Sequence, residues 1–296
     1  MKARGADNLL DSRSAAQLFT SQAINKIAQG DLSLLYKMLD EYLTPKYMPI
    51  KVSDVFEMTF NKYTKDYKTE YFFKNTIANK IFLKRHRKNS STMITELRVG
   101  NNKADCVIVN GHSTCYEIKT EFDSLKRLPE QISTYLKVFE KVYVVCAKVH
   151  VENVISIVSD DVGIIELTDK GSLNEVRKAS DSINEIDRGL MISSLRKSEY
   201  VYMAESLSLT PLTSSNMHVF SDCLAIFNEA SSSDLRKLYR DALKKYRKAD
   251  FNLINVLPPS LINSAISFKL SLAKQEAFRD VLSKYIYKDG LCTSHL

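Results

Sequence analysis

The chain has 296 residues, with 42 Lys and Arg against 35 Asp and Glu, a net charge of +7. Apolar residues at 44% and charged residues at 26% exclude a disordered chain, a collagen-like repeat and a disulfide scaffold. Five cysteines, odd in number and never spaced Cys-x-x-Cys, suit a reducing cytoplasm and speak against a zinc ribbon. Residues 1–7 lead into no apolar h-region and no apolar run approaches ~18 residues, so neither a signal peptide nor a membrane span is expected. There is no P-loop, no Gly-x-Gly-x-x-Gly and no His-Glu-x-x-His, which removes support for ATP hydrolysis, Rossmann cofactor binding and zinc proteolysis.

In chain order, residues 13–44 read as two helices, with Gly30 stopping the first and Asp31 capping the second. After the connector 44–49 comes a longer helical stretch, with Ser53 or Asp54 as its cap. Phe56, Phe60, Tyr63 and Tyr67 recur there on one helix face. A helix over 70–86 puts Phe73, Ile77 and Ile81 on one stripe. The period then shortens to two. Residues 93–99, 104–109, 114–119 and 141–149 read as strands, with Gly100-Asn101-Asn102 and Asn110-Gly111 marking consecutive hairpins. A helix fills 123–140, with Pro129 in its first turn, and a weaker strand is expected at 162–167. Beyond residue 180 the chain reads as helical. Leu235, Leu238, Tyr239, Ala242, Leu243 and Tyr246 form a stripe on a helix capped within Ser231–Asp234, with basic residues opposite.

The positive charge is uneven. Residues 60–90 hold nine bases and two acids, and residues 235–248 hold seven bases against Asp241 alone, leaving the remainder net acidic. Dense bases of this kind suit phosphate contact through counterion release. Lys84-Arg85-His86-Arg87-Lys88, which leads into the first strand, is the sharpest part.

The segment from Glu96 to Lys119 carries the chemistry. Asp105 opens an otherwise apolar strand, and Glu117 and Lys119 interrupt the next. Charges in sheet strands are costly unless paired or bound to metal. Mg²⁺, which prefers carboxylate oxygens and phosphate, supplies one reason for them. Glu117 and Lys119 share a face because they are two residues apart. A two-residue Asn110-Gly111 turn would put Asp105 on the opposite face. An odd loop or a bulge, such as Val109-Asn110-Gly111 with Gly111 left-handed, brings it to the same one.

Asp105 followed by Glu117-Ile118-Lys119 resembles the signature of the PD-(D/E)xK nuclease superfamily, and the order α-β-β-β-α-β is similar to its core. Ala104 stands where the superfamily name has proline, a position known to vary. Gln131-Ile132-Ser133-Thr134-Tyr135 resembles the Gln-x-x-x-Tyr motif of the RecB-like branch. Within that branch, residues 70–145 look like a group of small bacterial nuclease-like proteins. The matching stretches are Glu70–Asn75, Glu96–Gly100, Lys103–Asp105 and Tyr116–Lys119. The resemblance implies an α/β fold with a mixed sheet: a nuclease-like core at 50–170, a helical segment at 1–49 and a mainly helical region at 171–296. It implies that Asp105, Glu117 and the Ile118 carbonyl hold Mg²⁺, with Mn²⁺ as substitute, and that Lys119 orients or activates the attacking water. Glu96 would hold a second metal or a metal-bound water, with Glu70 as its rival. Gln131 and Tyr135 would face the metal or the substrate phosphate. Lys84, Arg85, Arg87, Lys88, Arg98 and Lys103 are the expected nucleic-acid contacts, forming a track toward Asp105 and Glu117.

The expectation is therefore a cytoplasmic metal-dependent nuclease acting on DNA rather than RNA, leaving a 5′-phosphate, in phage defence or on a mobile element. It would have no membrane contact, and would act with a partner protein or as a homo-oligomer. The alternative is a non-catalytic nucleic-acid-binding or partner-dependent subunit that keeps the fold.

Overall fold

The computed structural model describes residues 11–43, 49–85, 90–182, 185–213, 215–268 and 270–287. The chain forms two compact units. One comprises Met1–Asn79 with Asp250–Leu296, the other Lys80–Ala249. This grouping cuts across the three segments expected from the sequence, because helices placed beyond the core at 171 share the sheet's own core.

The discontinuous unit is helical. Helix α1 (Ser21–Ala28) is capped by the Thr20 hydroxyl, which accepts from Ala23 N–H at 3.2 Å, and Gly30 turns the chain with φ +92°. Asp31 braces the start of α2 (Ser33–Lys37) by accepting from Ser33 N–H at 3.1 Å, although Leu32 occupies the cap position. Strand β1 (Ile50–Lys51) pairs antiparallel with Tyr285–Ile286. Helix α3 (Val52–Asp66) starts from Lys51 with no side-chain cap, earlier than Ser53 or Asp54 would place it. The aromatic face expected on α3 gathers on Phe19, whose ring lies 5.8 Å from Phe56 and 5.5 Å from both Phe60 and Tyr63. Helix α4 (Glu70–Ile77) is capped by Thr69 and continues through a wide π-type turn to Arg85. The boundary between the units falls within this stretch.

The continuous unit is built on a six-stranded mixed sheet ordered β2 (Thr92–Val99), β3 (Asn102–Val109), β4 (Ser113–Lys119), β5 (Lys141–Ala147), β6 (Gly163–Leu167) and β7 (Leu173–Arg177). The first three run antiparallel, β4–β5 and β5–β6 pair in parallel, and β7 returns antiparallel. Parallel neighbours need a crossover. Helices α5 (Leu128–Leu136) and α6 (Val151–Ile157) supply the two crossovers, and Pro129 lies in the first turn of α5 as expected. Strand β4 is buried along its whole length, as a central strand covered on both faces should be. The remaining helices are α7 (Arg188–Ser193), α8 (Lys197–Ser208), α9 (Val219–Glu229) and α10 (Ser232–Tyr246). They join the sheet in one apolar cluster. Val107, Cys115 and Val144 of the strands meet Ile132 and Tyr135 of α5 there, together with Met203, Phe227, Tyr239 and Leu243. Cys106, Cys115, Cys146 and Cys223 are buried. Among the described residues no helix is long and apolar enough to cross a membrane.

Candidate functional site

The register decides which charges meet. Val109 pairs with Ser113 and Cys106 with Tyr116, so a three-residue loop, Asn110–His112, closes the β3–β4 hairpin. The loop is odd, as a shared face for Asp105 and Glu117 requires. It lies one residue later than Val109–Gly111, and Gly111 is not left-handed. The Asn110 side chain holds it by accepting from His112 N–H at 2.9 Å. Continued by one step, the same register sets Asp105 opposite Glu117. On the other side, Thr95 pairs with Cys106 and Leu97 with Ala104, which sets Glu96 opposite Asp105. Three carboxylates thus stand in one row across β2, β3 and β4.

Each is held differently. Glu117 is 2% exposed. Its Oε1 accepts from Lys119 Nζ at 2.7 Å, and Lys119 Nζ also donates to Gln131 Oε1 at 2.9 Å. Glu117 Oε2 is buried with no hydrogen-bond partner. Burial raises the Glu117 pKa above its ordinary value, against Lys119, with Tyr135 and Gln131 also favouring the ionised form. The Tyr135 phenol is pushed far above its usual range by burial first, then by nearby Cys115, Glu117 and Asp105, so it stays neutral. Its hydroxyl also makes no hydrogen bond. Asp105 Oδ2 accepts from Ile118 N–H at 2.7 Å, which fastens β3 to β4 beside their last backbone pair, Cys106 with Tyr116. Glu96 Oε2 pairs with Lys103 Nζ at 2.8 Å and is exposed. One carboxylate oxygen each of Glu96 and Asp105 lie within 4.8 Å of each other.

Glu96 has φ +57° in the middle of a strand. A long side chain in the left-handed region costs of order 1–3 kcal/mol and persists only where the surroundings enforce it. The strained residue is the one bearing the exposed carboxylate of the row.

Helix α5 supplies the fourth side of the site. Gln131 and Tyr135 lie one turn apart, Gln131 bonded to Lys119 and Tyr135 close enough to Glu117 to favour its ionised form. The sequence reading missed how α5 is fixed. Asn102 is 3% exposed, its Nδ2 donating to Glu130 Oε1 and Thr134 Oγ1, each at 3.1 Å, while its Oδ1 accepts from Arg127 Nη2 at 3.3 Å. A polar residue in the Gly100-Asn101-Asn102 turn was the only signal, and it read as turn chemistry.

The expected phosphate track is partly accounted for. Arg98 and Lys103 are exposed beside the row. Lys84 is exposed on the short helix Leu83–Arg85; Arg87 and Lys88, and the Arg85 side chain, lie outside what is described. Lys80 donates to the Gly171 carbonyl at 2.7 Å, and Lys62 donates to the Tyr42 carbonyl. Glu70 opens α4 in the discontinuous unit, where it pairs with buried Lys74 at 2.5 Å. The second basic block serves mostly to hold the fold. Arg247 binds fully buried Glu199 through Nε at 2.7 Å and Nη2 at 2.6 Å, Arg240 pairs with Glu140 at 2.5 Å and Lys244 with Asp241 at 3.2 Å. Lys245 stands 4.0 Å above the Tyr202 ring. An open groove of about 410 Å³ between Ile132, Leu136 and Ile157 contains none of the carboxylates.

No solved structure matches the chain. Protein cII of Enterobacteria phage P4 is 34% identical over 157 residues, which cover 51% of this chain and 56% of that protein. The chain thus matches little more than half the length of this curated relative. The family described as Bacteriophage P4 protein cII matches residues 63–267, a stretch that takes in the whole carboxylate row and helices α5 to α10. With about two thirds of its length matched, the chain belongs to the bacteriophage P4 protein cII family.

Proposed function

We propose that the continuous unit is a PD-(D/E)xK core and that the chain is a Mg²⁺-dependent nuclease hydrolysing DNA phosphodiesters on a phage or related mobile element. One observation carries the reading: Glu117 is buried in register with Asp105, is held by Lys119, and keeps one oxygen without a partner. An orphaned carboxylate oxygen deep in a sheet is expensive unless something cationic completes it. Asp105 and Glu117, opposite in register, and Glu96, which has an oxygen within 4.8 Å of one of Asp105, offer only oxygen donors, which suits Mg²⁺ or Mn²⁺. Bound there, the ion would lower the pKa of its water and polarise the scissile phosphate.

The chain's own groups divide the remaining work. Glu117 and Gln131 fix the Lys119 ammonium from two sides, so its charge is aimed before substrate arrives and can offset charge developing on the phosphate. Asp105 is steadied by the Ile118 N–H. Neutral Tyr135 offers a donor beside Glu117, and exposed Arg98 and Lys103 offer positive charge to the backbone of an incoming strand. Membership in a phage protein family agrees with action on a phage or mobile element.

The test is incubation of the wild-type chain and Lys119→Ala with single- and double-stranded DNA and RNA, in Mg²⁺, Mn²⁺ or EDTA. Cutting by the wild type in metal, abolished by EDTA and by Lys119→Ala with salt-sensitive binding retained, is the expected result. A second reading, a non-catalytic or partner-dependent subunit, is favoured by the closed Lys119–Glu117 and Lys103–Glu96 pairs. Binding without cutting under every condition would select it.

A further inference from the structure

Helix α5 carries Gln131, which holds the Lys119 ammonium, and the two ends of the helix are tied in different ways. Ser182 Oγ donates to the Leu136 carbonyl at 2.9 Å and Asp187 N–H to the Lys137 carbonyl at 3.0 Å, which fastens the C-terminal end. At the N-terminal end the tie is buried Asn102, the first residue of β3 and three residues before Asp105. Both polar atoms of its amide are bound: Nδ2 donates to Glu130 Oε1 and Thr134 Oγ1, and Oδ1 accepts from Arg127 Nη2. Thr134 gives its own hydroxyl proton to the Glu130 carbonyl at 3.0 Å, so its oxygen is left to accept. The Glu130 carboxylate only accepts and the Arg127 guanidinium only donates, which fixes the sense of the amide; bonds to ionised partners are also the stronger kind.

The helical repeat couples this clamp to Lys119. Glu130 and Thr134 are four residues apart and make one stripe about 6 Å long; Gln131 and Tyr135 make the next stripe, about 100° round the axis. Two bonds on one stripe set both the height and the rotation of the helix, and the neighbouring stripe follows. Packing of Leu128 and Ile132 in the apolar cluster is not directional and tolerates a small slide. The 2.9 Å bond from Lys119 to Gln131 does not survive a slide of about 1 Å.

We propose that Asn102 is the positioning residue that sets α5 so that Gln131 meets Lys119 and the ammonium is aimed before substrate arrives. The consequence for cutting rests on the nuclease reading above; the consequence for the ammonium does not.

Asn102→Asp keeps the shape of the side chain, removes both donors and puts a like charge beside Glu130. On whichever DNA the wild type cuts in Mg²⁺, kcat should fall about 10- to 100-fold, the scale of a misplacement of about 1 Å, while KM changes less than about threefold. In a Gln131→Ala background the same change should cost less than about twofold more, because its route to Lys119 is already broken. Adding Glu130→Gln to Asn102→Asp returns a donor opposite the new carboxylate and should restore most of kcat. Thr134→Val, which removes one contact without adding charge, should show the same pattern more weakly and replaces Asn102→Asp if that variant does not fold. A readout without metal or substrate is the ¹⁵N-lysine spectrum of slowly exchanging ammonium groups, recorded in EDTA at pH 5. The signal missing from Lys119→Met identifies Lys119; it should broaden in Asn102→Asp and Gln131→Ala and return with Glu130→Gln. A kcat within about twofold of wild type, losses that multiply with Gln131→Ala, or a Lys119 signal unchanged in Asn102→Asp would each overturn the proposal and leave the nuclease reading standing. A wild type with no protected Lys119 signal would overturn it as well. If the wild type cuts nothing, the nuclease reading fails, and the ammonium signal alone decides for or against the clamp.

Discussion

Replacing Lys119 by methionine removes an ammonium and leaves a chain of similar length in the same space. The loss strands Glu117, which is 2% exposed and already has one oxygen without a partner. Breaking one side of a buried pair costs about 3–5 kcal/mol. Glu117 can limit that cost by taking up a proton. From an ordinary carboxylate value near 4.3, protonation at pH 7 costs about 1.36 kcal/mol per pH unit, about 3.7 kcal/mol in all; at pH 5 it costs only about 1 kcal/mol. The sign follows from linkage. Burial raises the Glu117 pKa in the folded state, so the folded chain holds the proton more tightly and stability falls as pH rises from the ordinary value toward the folded one. Without Lys119 the folded value rises further and this loss extends over a wider pH window. Urea titrations followed by circular dichroism at pH 5 and pH 7 should therefore show Lys119→Met weaker than wild type by about 3–4 kcal/mol at pH 7, and by far less at pH 5. Adding Glu117→Gln should remove most of the pH dependence of the difference. A Lys119→Met loss that is equal at both pH values, or under about 1 kcal/mol at pH 7, would refute the buried-pair account.

Three further outcomes follow from the packing and backbone of the continuous unit. At position 96, where φ is +57°, Glu96→Gly should be more stable than Glu96→Val by about 1–2 kcal/mol in thermal unfolding, the reverse of ordinary strand preference. Gly163→Ala should destabilise by about 2 kcal/mol or more, because a Cβ there would meet the Tyr143 ring at 2.3 Å and the Ala179 backbone nitrogen at 2.7 Å; a calorimetric midpoint unchanged from wild type would contradict this. Burial pushes the Cys146 thiol up to about 12 and that of Cys223 up to about 11, so in a Cys292→Ser background neither should react with a thiol reagent at pH 8 until denaturant is added.

Much of the continuous unit could be read from the sequence because its strands are short, apolar and separated by turn residues. The four strands read over 93–149 appear within a few residues of their expected limits, and the β3–β4 loop is odd, as a shared face for Asp105 and Glu117 requires. What was missed has physical causes. Strand β7, Leu-Asn-Glu-Val-Arg, is polar and largely exposed, since an edge strand needs little apolar burial and leaves little pattern. The left-handed Glu96 is invisible in sequence because glutamate has no preference for that region; only the environment imposes it. The basic helix α10 looked like a phosphate surface because its partners, Glu140 and Glu199, lie 100 and 48 residues away from the arginines they neutralise. A helical wheel carries no record of such distant acids. The row of Glu96, Asp105 and Glu117, by contrast, depends on hairpin register between neighbours, which turn residues announce.

The discontinuous unit has a consequence in time. Its first helices leave the ribosome early, yet β1 finds its partner only when Tyr285–Ile286 emerges, more than 230 residues later. At about 5–20 residues per second that delay is of order 10–50 s. The continuous unit is complete before then, and the Thr92 hydroxyl already ties its first strand to the Arg247 carbonyl at the end of its last helix. During synthesis the chain therefore carries a finished sheet domain while the aromatic face around Phe19 and Phe56 still lacks Phe278, which packs on Phe56 at 6.0 Å. That interval is when a nascent-chain chaperone would have something to cover, and a stop codon placed between residues 250 and 278 would spare every residue of the continuous unit while removing Phe278 from the aromatic face of the other.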